Sequence, residues 1–154
     1  MKQFNSWGLL PWQQQLKTQT DSFHLRAIDF VYDEKGNQGK SLFTEYLEYL
    51  GGAEEIPPFR LMDDIFQWVA TRPIKKLYIV DMPRGMKKDK LGEFYSGIEV
   101  IKNGLAYDKR YSATKIRFDR PRVIVFANQL PDFDLMSVDR WKIWKISGQE
   151  LVQF

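Results

Sequence analysis

Residues 31–41 read VYDEKGNQGKS. The run LRAIDFVY at 25–32 leads into this stretch with β-branched and aromatic residues, and its glycines and asparagine supply turn chemistry, so the segment reads as strand and then loop. From Ser41 to Leu50 the apolar residues Leu42, Phe43, Tyr46, Leu47 and Leu50 recur at helical spacing, and Gly51 with Gly52 gives a stop. A glycine-rich loop between a strand and a helix can bind phosphate. Its backbone N–H groups can face an anion at the helix N-terminus, where the helix dipole is positive. On that reading Gly36, Asn37, Gln38, Gly39, Lys40, Ser41 and Leu42 form a nucleotide cradle, Lys40 reaches the β- and γ-phosphates, and the Ser41 hydroxyl holds Mg²⁺. The general pattern G-x-x-x-x-G-K-[ST] asks for glycine at 34, where this chain has Glu34. The plain alternative for the segment is a glycine-rich turn closed by Lys-Ser.

Two further runs extend the reading. Leu77–Val80 and Val123–Ala127 are continuously apolar, as strands buried on both faces of a parallel sheet are, and they end at Asp81 and Asn128. A carboxylate at Asp81 suits the water shell of a metal, and Asn128 suits a place near a γ-phosphate. Either residue alone is an ordinary turn residue after a strand; three strand ends in this order form a constellation. Leu61–Thr71 is amphipathic, with Leu61, Met62, Ile65, Phe66 and Val69 as its stripe. Leu91, Phe94, Tyr95, Ile98 and Ile101 mark a helix stopped by Gly104, and Leu105–Phe118 alternates like a β-hairpin with a basic tip. The order predicts an α/β fold, a central and mostly parallel sheet flanked by helices. Residues 1–22, with Trp7 and Trp12, read as a short packing segment ahead of a domain at 23–154.

Composition bounds the rest. A chain of 154 residues has room for one packed core. Its 23 Lys and Arg against 20 Asp and Glu leave +3, a balance that permits a nucleic-acid partner without requiring one. With no Cys and one His, disulfides, thiolate zinc sites, Cys nucleophiles and His-rich metal centres are excluded, and an intracellular, reducing compartment fits best. The lone His24 reads as a packing or surface residue, and Trp141 and Trp144 as core or subunit-contact groups. No apolar run approaches the roughly 20 residues of a membrane span.

Taken together, WGLLPWQQQL at 7–16, VYDEKGNQGKS at 31–41, VDMPR at 80–84, IEVIKNG at 98–104 and VFANQLPDFDLMSVDRW at 125–141 resemble a known family. It is the superfamily 3 helicase domain, a P-loop ATPase, of the replication-initiator (Rep) proteins of circular single-stranded DNA viruses, of the nanovirus- and circovirus-like kind. The resemblance runs the length of the chain, and Asp33 and Glu34 match a variation of the loop within that family. It implies ATP with Mg²⁺, a homo-oligomeric ring, commonly hexameric, moving along single-stranded DNA during rolling-circle replication, and residence in the host nucleus. Family roles then fall on Gly36, Gly39, Lys40 and Ser41 in the phosphate loop, on Asp81 at the metal and on Asn128 as sensor. Arg140 is the candidate arginine finger toward a neighbouring subunit, with Arg84 and Arg122 also following strands. The hairpin before the sensor strand would line the pore, with Lys109, Arg110 and Tyr111 at its tip and Lys102 ahead of it as DNA contacts. The family's N-terminal segment holds the ring, its endonuclease domain has no counterpart here, and the chain reads as a module of a longer initiator.

One departure bears on mechanism. Many superfamily 3 proteins carry a second acid after the metal-binding carboxylate, where this chain has Met82, so the general base is open and Glu99 is the substitute. A viral RNA helicase of the same superfamily, a small-molecule or nucleoside kinase, and a non-catalytic nucleic-acid-binding assembly module remain as alternative readings.

Overall fold

Strands covered on both faces must be apolar along their length, and in this protein they lie side by side. The computed structural model describes residues 8–36, 39–109, 114–137 and 139–153. In chain order these form α1 (Pro11–Asp21), β1 (Ile28–Tyr32), α2 (Lys40–Leu50), β2 (Ala53–Ile56), α3 (Met62–Ala70), β3 (Leu77–Asp81) and α4 (Lys88–Lys102). There follow β4 (Leu105–Asp108), β5 (Thr114–Arg117), β6 (Arg122–Ala127), a 3₁₀ turn at Phe133–Leu135, β7 (Trp141–Ser147) and β8 (Glu150–Gln153). The main sheet runs β2-β3-β6-β1-β7-β8, parallel except for the last pair, and β4 with β5 forms a separate antiparallel hairpin. The expected mostly parallel sheet with flanking helices, and the hairpin just before β6, are therefore present.

Alternation along each strand divides the core. Phe30, Tyr78, Val80, Val123 and Val125 face α3 and α4, which contribute Ile65, Phe66, Val69, Phe94, Tyr95 and Ile98. Val31, Ile79, Ile124 and Phe126 face the other way, onto Trp12 and Leu16 of α1 and Phe43 and Leu47 of α2. Trp12 is fully buried, edge-on to Phe43 at 5.3 Å and to Phe126 at 6.1 Å. Helix α1 is thus part of the core, and removing the Trp12 ring would cost about 3–5 kcal/mol. Backbone at the hairpin base is equally close: a Cβ on Gly104 would lie 2.2 Å from the Phe118 carbonyl oxygen, and the Phe118 N–H donates to Gly104 O at 2.9 Å.

Several sequence expectations are corrected. β1 begins at Ile28 and leaves Leu25 exposed; Leu42 and Leu50 of α2 also face outward, so the buried stripe of that helix is narrower than its apolar spacing. β2 was not expected, because its sequence AEEI carries two acids. Its place at the sheet edge accommodates them: Glu54 forms an ion pair with Arg72. β7 extends well past Arg140 and turns back as β8, closing the other edge.

Candidate functional site

The C-terminal ends of β1, β3 and β6 lie next to one another, so the turns leaving them share one side of the sheet. After β1, Asp33 is 1% exposed and bends the chain: its Oδ1 accepts the Gly36 N–H at 3.1 Å, while its own N–H donates to Ala127 O at 2.8 Å. This carboxylate turn supplies the bend that the general motif assigns to an early glycine. Glu34 points outward, 3.8 Å from Lys145 Nζ. Asn37 and Gln38 lie outside the described residues. Gly39, the N-cap of α2, has φ +90°, and Lys40 and Ser41 open the helix.

Lys40, Ser41, Asp81 and Asn128 line one cleft of about 470 Å³, together with Gly36, Pro58, Arg60, Met82, Pro83, Arg84 and Phe126. Lys40 Nζ lies 3.7 Å from Asp33 Oδ2, too long for a hydrogen bond, and that buried oxygen has no hydrogen-bond partner among the described residues. The ammonium is held at the loop base, on the border of the cleft. Asn128 ties two elements: its Nδ2 donates to Asp33 O at 3.2 Å and its Oδ1 accepts from Arg84 Nη2 at 3.0 Å. Arg60 Nη2 in turn donates to the Arg84 carbonyl at 2.8 Å. Lys40, Arg60 and Arg84 outweigh Asp81, so the cleft favours a polyanion. Burial raises the Asp81 carboxyl above the ordinary carboxylate range, and the Lys40 charge pulls it back. Among the described residues no three acidic or His side chains gather to hold a metal by themselves. The donor set of one carboxylate and one hydroxyl beside a cationic glycine-rich loop fits a hard cation that would draw its remaining oxygen ligands from an anion and water.

Sequence reasoning missed Arg60 altogether and gave Arg84 no part in the cleft; in PPFR and VDMPR neither differs from a surface arginine until β3 and its neighbours are assembled. It also missed Glu55. In register Glu55 pairs with Ile79, and Asp81 is two residues beyond Ile79 on the same face of β3. Strand spacings put the two backbones roughly 8 Å apart. Burial, then repulsion from Asp81, Glu48 and Glu45, raises the Glu55 carboxyl.

Other expected site residues lie elsewhere. Glu99 faces the opposite end of the sheet, where its Oε2 accepts the Trp141 indole N–H at 2.7 Å, so it stands outside the cleft of its own chain. Arg140 is turned inward: its Nη2 donates to Asn103 Oδ1 at 2.9 Å and to Glu99 O at 3.5 Å, and burial lowers its pKa. Lys102 is 0% exposed, with its ammonium on the carbonyls of His24 and Pro121, the latter at 2.7 Å. A lysine so enclosed offers no charge to DNA, which corrects the expected contact to an internal anchor. Lys109 is exposed and 3.2 Å from Asp63, while Arg110 and Tyr111 lie outside the described residues. Met82 is buried, and Tyr95 Oη lies 3.8 Å from its sulfur. His24 Nδ1 accepts N–H groups of Arg26 and Ala27 at 3.2 and 2.9 Å, a structural turn. Trp141 is buried, edge-on to Tyr95 at 5.3 Å, as expected of a core group.

Comparison with known proteins gives a consistent set. The chain is 36% identical over 148 residues to Para-Rep C10 of Milk vetch dwarf C10 alphasatellite, covering 93% of this chain and 51% of that protein. It is 35% identical to Para-Rep C7 of Faba bean necrotic yellows C7 alphasatellite, covering 90% and 48%. It is 30% identical to the master replication protein of Milk vetch dwarf virus (isolate N), covering 88% and 46%. The chain spans about half the length of the curated relatives it matches. No family model matches it.

Proposed function

This chain is a Rep-like protein, homologous over most of its length to Rep proteins of nanovirus alphasatellites and master replication proteins of nanoviruses, and from that premise we propose that it is the ATP-driven motor unit of a rolling-circle replication initiator. The observation that carries this reading is the convergence of Lys40, Ser41, Asp81 and Asn128 in one cationic cleft at the ends of three adjacent parallel strands. The strand order, with β1 between β6 and β7 and β3 beside β6, supports a P-loop fold of the superfamily 3 type.

In this reading Lys40 binds the β- and γ-phosphates, and Arg60 and Arg84 add positive charge where negative charge grows during phosphoryl transfer. Ser41 and Asp81 hold Mg²⁺, which supplies charge neutralisation at the phosphates. Asn128, held between Arg84 and the Asp33 carbonyl, orients the attacking water. Glu55 replaces Glu99 as the carboxylate that receives the water's proton. It shares a sheet face with Asp81, and burial raises its carboxyl above the ordinary carboxylate range, which makes the carboxylate a stronger proton acceptor.

Single-stranded DNA is the proposed track. Lys109, Lys115 and Arg117 are exposed on the hairpin, and Lys115 and Arg117 share a face of β5. Arg110 and Tyr111 complete the tip in sequence, and such groups hold backbone and bases without reading identity. A ring of such units would combine weak contacts into avidity. The test is phosphate release from ATP and Mg²⁺ with no polymer, with single-stranded DNA and with RNA. DNA-stimulated release that Lys40→Ala abolishes supports the motor. Stimulation by RNA alone points to the RNA helicase, and no release under any polymer points to a non-catalytic module.

A further inference from the structure

The phosphate loop is held from outside the cleft by a residue of α1. Gln13 is 5% exposed, and its amide makes two contacts: Oε1 accepts the Leu10 N–H at 2.9 Å, and Nε2 donates to the Gly39 carbonyl at 3.0 Å. The two partners fix the amide orientation, since one must be given a hydrogen and the other must give one. A primary amide does both from one side chain.

Gly39 is the residue on which the loop turns into α2. At φ +90° it adopts a conformation that L side chains rarely take, and a Cβ there would lie 3.0 Å from Gln13 Nε2 and 3.7 Å from Leu10 Cδ1. In a trans peptide the carbonyl and the next N–H point in opposite directions. Gln13 does not line the cleft, so by drawing the Gly39 carbonyl toward itself it turns the Lys40 N–H away from α1. The Gly39 carbonyl also accepts the Phe43 N–H at 3.0 Å, so both of its lone pairs are used and the peptide plane has little freedom left. The holder is itself well anchored. The Trp12 ring packs on Phe43 in the first turns of α2, the Trp12 backbone N–H donates to Gln149 O at 2.8 Å, and the Leu151 backbone N–H donates to Gln15 Oε1 at 2.8 Å.

We propose that Gln13 is a positioning residue of the phosphate loop, which ties nucleotide binding to the docking of α1. The proposal rests on the nucleotide-binding reading above. It implies a reciprocal effect: nucleotide bound at the loop tightens the seat of α1, and displacement of α1 loosens the nucleotide.

Gln13→Glu tests it. The shape and the acceptor for Leu10 are kept, and an acid in the first helical turn suits the helix dipole, but a carboxylate sets its lone pairs against the Gly39 carbonyl. At pH 7.5 this variant should melt within a few degrees of wild type yet bind a fluorescent Mg²⁺-ATP analogue on the order of tenfold more weakly. Once protonated, the introduced carboxyl again donates to Gly39, so the ratio of the variant's affinity to wild type should recover as pH falls toward 5.5. Gln13→Met, which has neither donor nor acceptor, should show the weakening without the recovery. Wild-type affinity of Gln13→Glu at every pH overturns the role of Gln13 and leaves the nucleotide reading intact. So does an equal, pH-independent loss in both variants that tracks their melting temperatures. Failure of the wild-type chain to bind the analogue overturns the nucleotide reading itself.

Discussion

The two ends of the parallel sheet carry the same kinds of residue and treat them in opposite ways. At the C-terminal end Lys40, Arg60, Arg84, Asp81 and Asn128 border an open cleft. At the N-terminal end the buried charges close on one another, while Lys76 and Arg120 stay exposed beside them. Arg122 Nη2 donates to Asp29 Oδ2 at 2.7 Å with both residues buried, and the other Asp29 oxygen accepts the Trp144 indole N–H at 3.0 Å. Lys102 is sealed by carbonyls, and Arg140 and Glu99 are spoken for by Asn103 and Trp141. A buried charge satisfied from within holds elements together, while one left facing a cleft can act on a ligand.

Substitutions at each end can break that contrast. The largest effect is expected from Asp29→Asn, which leaves the Arg122 guanidinium buried without its counter-charge. Urea denaturation should reveal a loss of about 3–5 kcal/mol, with nucleotide affinity of the folded protein unchanged. Stability equal to wild type would remove the idea that this end is scaffold. Asp81→Asn should do the reverse, lowering Mg²⁺-dependent phosphate release on the order of 100-fold or more. Its melting temperature should hold or rise, because burial already disfavours the charged carboxylate. A cooperative unfolding of Asp81→Asn at ambient temperature would contradict this.

A paired comparison sharpens the base assignment. Glu55→Gln should reduce turnover by about 100-fold while KM for ATP changes little. Glu99→Gln keeps an oxygen to accept from Trp141, so it should leave turnover near wild type; the opposite ranking in phosphate release would return the base to Glu99. The smallest effect is a slope. Burial, then the charges of Arg122, Arg140 and Arg120, lower the Lys102 pKa to about 8 from its ordinary 10.5. Between those values the unfolded chain binds more protons than the folded one, so wild-type stability should gain as pH rises from 8 toward 10. Lys102→Met should flatten that gain in chemical denaturation measured across the window, and an unchanged slope would mean that Lys102 titrates normally.

Legibility from sequence followed the local or long-range character of each interaction. The apolar runs at 77–80 and 123–127 mark strands buried along their length and the helical spacing at 91–101 marks a helix buried along one stripe, so local pattern located them. β2 escaped because Glu54 and Glu55 are tolerable only at an edge, and edge position belongs to the sheet rather than to the tetrapeptide. Of the cleft, Asp81 and Asn128 were readable from strand-end position and Lys40 and Ser41 from the glycine-rich loop before a helix. Arg60 in the cleft, and Glu55 and Gln13 outside its lining, were not, because their placement depends on contacts 24 to 26 residues away or on a strand pairing.

Sequence by itself determined the glycine-rich loop, its neighbouring strand ends and the hairpin ahead of β6, since glycine placement, residue type and hydrophobic period are local properties. Only the tertiary structure decided which charges face the cleft. Lys102 and Lys40 are the same residue type, each at one end of a helix. Lys102 is enclosed by the chain turns at His24 and Pro121, while Lys40 opens on a cleft, and that difference in surroundings separates an internal anchor from a charge able to meet a ligand.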